Sequence, residues 1–108
     1  MITKAQIVVF KRSADTLYEA GDFTSATILY FKTLFAIHDF LLLAKIGESP
    51  KDHTTRFRML EKSFPTLFQE LDMEFGTYRD TYSKIIDKQT CVRIREIVTK
   101  NVIQYQLN

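Results

Sequence analysis

The chain has one cysteine, Cys91, no tryptophan, three glycines and two prolines among its 108 residues. A lone thiol excludes an internal disulfide, so packing has to hold the fold, and it fits a reducing compartment. Glycine and proline this scarce argue against a many-stranded β fold, which needs a turn every ~8–12 residues. A dominant charge is missing as well: 15 Lys and Arg face 13 Asp and Glu, a formal +2. That is too even for the concentrated basic field of a general nucleic-acid binder. Met1 to Val9 lack the charged start and small-residue cleavage site of a signal peptide. Lys32, His38, Asp39 and Lys45 interrupt the most apolar stretch, so no unbroken run reaches the ~18–20 residues that span a bilayer. The expected location is cytoplasmic, without a membrane partner. His38 and His53 stand far apart with no cysteine or carboxylate cluster at ligand spacing, so no metal site is expected. A glycine-rich phosphate loop, a Gly-x-Ser-x-Gly elbow and paired catalytic carboxylates are also missing, and no cofactor is expected.

What is present is bulky core material, nine Phe and five Tyr, arranged with helical period. Ile7, Phe10, Ala14 and Leu17 recur at three- and four-residue steps, the signature of one helix face. Gly21 can close that helix in a left-handed cap, and Asp22 can open the next. The second segment, about Thr24 to Ile46, is apolar on two faces: Ile28, Phe31, Phe35, Leu42 and Ile46 mark one, and Tyr30, Leu34, Ile37 and Leu41 the other. Its polar line, Ser25, Lys32 and Asp39, is narrow, so this helix belongs at the centre of the fold or is shared with a subunit interface. After the break at Gly47-Glu48-Ser49-Pro50, a seam runs from Phe57 through Phe64, Phe68 and Phe75 to Tyr82. Pro65 divides it into a short helix, about Thr55 to Ser63, and a longer one that starts near Pro65 and is loosened or ended by Gly76. A weaker break near Ser83 to Asp87 precedes a last helix with Cys91, Ile94, Val98, Val102 and Tyr105 on one face. The expected fold is a single all-α domain over residues 1–108, an up-and-down four-helix bundle with an additional short helix.

The order of these features resembles a HEPN domain across roughly Ala5 to Tyr105. The resemblance rests on Ala14-Asp15-Thr16-Leu17-Tyr18-Glu19-Ala20-Gly21-Asp22-Phe23, the apolar helix with Ala26, Tyr30 and His38-Asp39-Phe40-Leu41-Leu42, the loop Ser49-Pro50-Lys51-Asp52-His53, and Tyr78-Arg79-Asp80 with Tyr82. It implies a helical bundle that forms a homodimer with a cleft between subunits. Many members are ribonucleases with an arginine followed about four to six residues later by a histidine; others are non-catalytic partners of minimal nucleotidyltransferases or bind nucleotides. Arg79-Asp80 matches the arginine and its polar follower, but no histidine occurs after Arg79. Arginine holds a phosphate bidentately yet cannot readily serve as a base, the role to which histidine is suited.

Arg79, Asp80 and Tyr82 are therefore candidates for an anionic-ligand cleft, set against a helix-end ion pair with Tyr82 in the core. Tyr82 also resembles a tyrosine nucleotidylated by partner enzymes in some members, at the wrong spacing. His38 and Asp39 either line that cleft or form a hydrogen-bonded interior pair. Lys51, His53 and Arg56, with Arg58 and Lys62, either collect phosphate oxygens or form a solvated face with Asp52 capping the helix. The reading that follows is a non-catalytic HEPN-like module binding a nucleotide, RNA or a protein, homodimeric through the doubly apolar helix, with a minimal nucleotidyltransferase as possible partner. The alternatives are a metal-independent ribonuclease, with His38 or His53 supplying the imidazole to Arg79, and a tetratricopeptide-like scaffold suggested by Leu17 to Phe23, Ala26 and Tyr30. The scaffold lacks the second repeat it would need.

Overall fold

Five helices make up the computed structural model, which describes residues 1–108: α1 (Lys4–Glu19), α2 (Phe23–Ile46), α3 (His53–Ser63), α4 (Pro65–Asp80) and α5 (Lys88–Gln104). The chain is an all-α helical bundle of four long helices and one short one. Its boundaries follow from local chemistry. Thr3 and Gln6 form a reciprocal capping box at the start of α1. Asp22, Asp52 and Asp87 each accept a first-turn backbone N–H, from Ser25, Thr55 and Thr90. Gly47, at φ +76°, closes α2 in the left-handed conformation. Pro65 occupies the first turn of α4, where its missing N–H costs nothing. Gly76 neither ends nor breaks that helix, which continues to Asp80.

α2 is the centre, and most of both its apolar faces is covered within the chain. One core joins Tyr30, Phe31, Leu34 and Ile37 to Ile7 and Ala14 of α1 and to Cys91, Ile94, Val98 and Val102 of α5. A second, smaller core joins Leu42 to Leu60 of α3 and Leu67 and Leu71 of α4. Thr27 and Thr33 are fully buried because their hydroxyls donate to the carbonyls of Phe23 and Leu29 one turn back, so neither needs water. Ile28 and Ile46 remain exposed at the helix flank and end. α2 has the length and mean hydropathy, 1.5, of a membrane span, but most of that stretch is buried among the other helices.

Side-chain pairings give the helix directions. Phe10 meets Lys32 and Tyr18 meets Phe23, so α1 runs against α2. Tyr78 packs on Phe31 and Phe35 while Leu67 and Leu71 reach Leu42, so α4 also runs against α2. Arg93 bonds Glu74 and Asn101 bonds Glu70, so α5 runs against α4. The four long helices thus alternate up and down. The short helix breaks the alternation: Arg56 meets Asp39 and the Ser63 carbonyl meets Lys45, so α3 runs in the same sense as α2. The six-residue segment 47–52 makes this possible. It reaches about 20 Å, enough to travel back past the last two turns of α2, about 10 Å, before α3 begins.

Candidate functional site

The return of the chain along α2 places the first turns of α3 against the middle of α2. Asp52 caps α3, which sets His53 in its first turn and Arg56 on the same face one turn later. Arg56 is only 6% exposed. Its Nη1 donates to Asp39 Oδ1 at 2.8 Å and to the Phe35 carbonyl at 3.0 Å, its Nε donates to His53 Nδ1 at 3.4 Å, and the guanidinium lies 4.8 Å from the Phe35 ring centre. Because Nδ1 of His53 accepts, its proton in the neutral ring sits on Nε2. Partial burial and the Arg56 cation both hold His53 below the ordinary histidine range.

An aromatic cluster surrounds this ion pair. Tyr78 packs edge-on against Phe31, Phe35 and His53, with ring centres 4.9–5.4 Å apart, and lies beside Phe75 at 5.3 Å. Its hydroxyl shares a 2.6 Å hydrogen bond with that of Tyr82, one turn on along the chain. Burial and this bond push Tyr78 up to about 12. On the outer side opens a groove of about 350 Å³ between α1, α2 and the end of α4, lined by Phe10, Ile28, Lys32, Phe35, Tyr78 and Tyr82 with Asp39 at its edge. Tyr82 is 76% exposed. The Lys32 ammonium makes no ion pair and rests 4.8 Å from the centre of the Phe10 ring.

The residues singled out in the sequence are distributed unequally about this groove. Asp39, His53 and Arg56 come together, and Tyr82 joins them through Tyr78. Tyr82 is therefore not in the core. Arg79 and Asp80 form no pair with one another: Arg79 is exposed over the outer side of Phe75, 5.7 Å from its ring centre, and Asp80 pairs with Lys84 at 3.3 Å. His38 is fully buried, yet neither ring nitrogen has a hydrogen-bond partner, so the expected bonded His38–Asp39 pair does not form. The two side chains diverge around α2, His38 inward and Asp39 toward the groove. Burial, reinforced by Arg56 and His53, drives His38 well below the usual histidine range. The basic cluster also separates: Lys51, Arg58 and Lys62 are exposed, whereas Arg56 is not a solvated cation but the clamp between α3 and α2.

Sequence reasoning missed Phe10, Phe35, Lys32 and Tyr78 as site residues. The available signal was the seven-residue recurrence of Lys32 and Asp39 beside the Ile28–Phe35 face of α2. No family model matches the chain, and neither a curated protein nor a solved structure does. Chemically, the groove offers aromatic faces, one uncommitted cation and phenolic hydroxyls. Neither imidazole is among its lining residues: His38 is enclosed, and His53 Nδ1 accepts from Arg56.

Proposed function

We propose that the chain is a non-catalytic binding module of HEPN-like type, cytoplasmic, that takes a nucleotide, or a nucleotide of a flexible RNA strand, into the groove beside Tyr78 and Tyr82. The observation that carries this reading is the exposed Tyr82 ring, fixed by its hydroxyl bond to Tyr78, in the same groove as the unpaired Lys32. An aromatic face stacks any base, worth about 1–3 kcal/mol. An ammonium within the same groove answers a phosphate. One cation suits a single phosphate group rather than a long backbone, in keeping with the net charge of +2. No imidazole lines the groove, in keeping with binding rather than cleavage. With most of both apolar faces of α2 covered, association with a second copy or with a minimal nucleotidyltransferase falls to the outer surfaces of the bundle.

The test is titration calorimetry with nucleoside monophosphates and a short single-stranded RNA. Saturable binding is expected, weakened at least about tenfold by Tyr82→Ala through lost stacking. Lys32→Glu should weaken ligands that carry phosphate and spare the nucleoside. No binding to the wild type, or equal binding to Tyr82→Ala, would falsify the reading.

A further inference from the structure

α1 and α5 both pack on α2, but their backbones hardly approach each other, and an open trough runs between them. At one end its floor is Ile7, Val102 and Leu107, all buried, and its lips are Val8 and Ile103, the latter 65% exposed. At the other end the walls carry Lys11, Arg95 and Lys100 with Glu96. The two hollows, about 390 and 550 Å³, adjoin and share Lys11, Thr99 and Ile103.

The charge along this trough is one-sided. Lys11, Arg12, Arg95 and Lys100 face only two carboxylates of its lining, Asp15 and Glu96. Asp15 is already engaged by the Tyr30 hydroxyl and by Lys11 at 2.9 Å. Arg95 approaches Asp15 to 3.7 Å and lies 4.7 Å from the centre of the Tyr18 ring, with its Nε buried and unbonded. Lys100 is held by Glu70 of α4. Arg12, exposed at the apolar end, has no ion-pair partner.

We propose that this trough is a docking surface for an acidic amphipathic helix of a partner protein. Its apolar floor with a cationic rim is complementary to a helix carrying an apolar ridge flanked by carboxylates. Residues 7–15 of α1 run about 12 Å, so the trough accepts about two turns, anchored at i, i+3 or i+4, and i+7. Other occupants fit less well. A small molecule would be left largely uncovered in an open trough. No aromatic ring lines it for a base to stack on, unlike the Tyr78–Tyr82 groove. A membrane needs apolar groups that project, whereas these lie in a concavity.

The probe is a fluorescein-labelled synthetic helix of about 14 residues, with Leu at i, i+3, i+4 and i+7 and Glu on both flanks, followed by anisotropy. The expected result is saturable binding that weakens with salt and falls at least about tenfold in Ile103→Glu. Arg12→Glu should weaken it too, and a peptide with Lys on its flanks should recover affinity for that variant. Both substituted residues are exposed, so the fold is retained. Tyr82→Ala should bind the helix as the wild type does, which separates this surface from the nucleotide groove. No binding, or equal binding to Ile103→Glu, overturns the proposal. So does a dimer in sedimentation that Ile103→Glu dissolves, which assigns the trough to a second copy. Binding to phosphatidylglycerol vesicles that Ile103→Glu abolishes would overturn it in favour of a lipid surface.

Discussion

Acidification from pH 7 to 5 should destabilise the fold through His38, by at most about 2 kcal/mol from one imidazole. The ring is fully buried, both nitrogens lack partners, and the groups that face it from α3 are Arg56 and His53, neither of which favours a second positive charge. Its folded pKa therefore lies well below the ordinary histidine value of about 6.5. The unfolded chain binds a proton as pH falls through about 6.5, while the folded chain does not, so stability is full above that value and declines below it. The limiting slope is about 1.4 kcal/mol per pH unit for one imidazole, which integrates to about 2 kcal/mol at pH 5. His53, also lowered, adds a smaller decline in the same direction. Asp15, Asp52 and Asp87 have lowered pKa values, so their contribution is present above the ordinary carboxylate value of 3.8 and is lost only below it. The interval from pH 7 to 5 thus isolates the imidazoles. Urea unfolding followed by far-UV circular dichroism measures the slope, and His38→Phe should flatten it to the residue left by His53. Stability that stays level over this interval, or an undiminished slope in His38→Phe, refutes the reasoning.

Four further outcomes test the site and the frame around it. Asp39→Ala should cost about 3 kcal/mol in urea unfolding, because it leaves the Arg56 cation buried and unpaired, whereas Arg56→Met should cost less, since the partly exposed Asp39 can turn to water. Gly76→Ala should stabilise by about 0.5–1 kcal/mol, as the added methyl meets nothing within 4 Å of a regular helix position. Gly47→Ala should destabilise by about 1 kcal/mol because φ +76° is strained for any residue with a Cβ. For Arg79→Ala, stability should stay within about 0.5 kcal/mol, and wild-type protein should show no metal-free RNA cleavage; cleavage that vanishes in this variant would restore the ribonuclease alternative.

The helices were legible because each carries its own punctuation. Asp22, Asp87 and Pro65 state where a helix starts, Gly47 where one stops, and the three- and four-residue spacing states which side is buried. The sense of α3 was not legible, because nothing local in segment 47–52 records how far it travels back before Asp52 caps the next helix. The site suffered for the same reason. Arg56 reads as one more surface cation among Lys51, Arg58 and Lys62, and only the return of α3 along α2 buries it against Asp39. Tyr78 and Tyr82 were visible as a pair one turn apart, but their meeting with Phe10 and Lys32 depends on α1 and α4 flanking the same face of α2. For His38 the sequence left a cleft position and a hydrogen-bonded interior pair both open; its burial without hydrogen bonds follows from tertiary packing that no spacing announces.

The doubly apolar α2 first suggested either a central helix or a subunit interface, and within one chain it is the central helix. α1 and α5 cover one side, α3 and α4 the other, and what remains of α2 at the surface is its C-terminal end and a narrow strip that contains Ile28, Lys32 and Asp39. Both proposed recognition surfaces lie in the seams between the covering helices. The seam beside α4 is lined by tyrosines and Lys32, the basis for proposing a flat, anionic ligand there. The seam between α1 and α5 is aliphatic with basic residues along it, the basis for proposing an acidic helix. The two share no lining residue, and the ion pair of Arg56 with Asp39 underlies only the first. Loosening that pair with Asp39→Ala should therefore impair the nucleotide groove while the α1–α5 trough keeps its affinity, provided the variant is assayed where it remains folded.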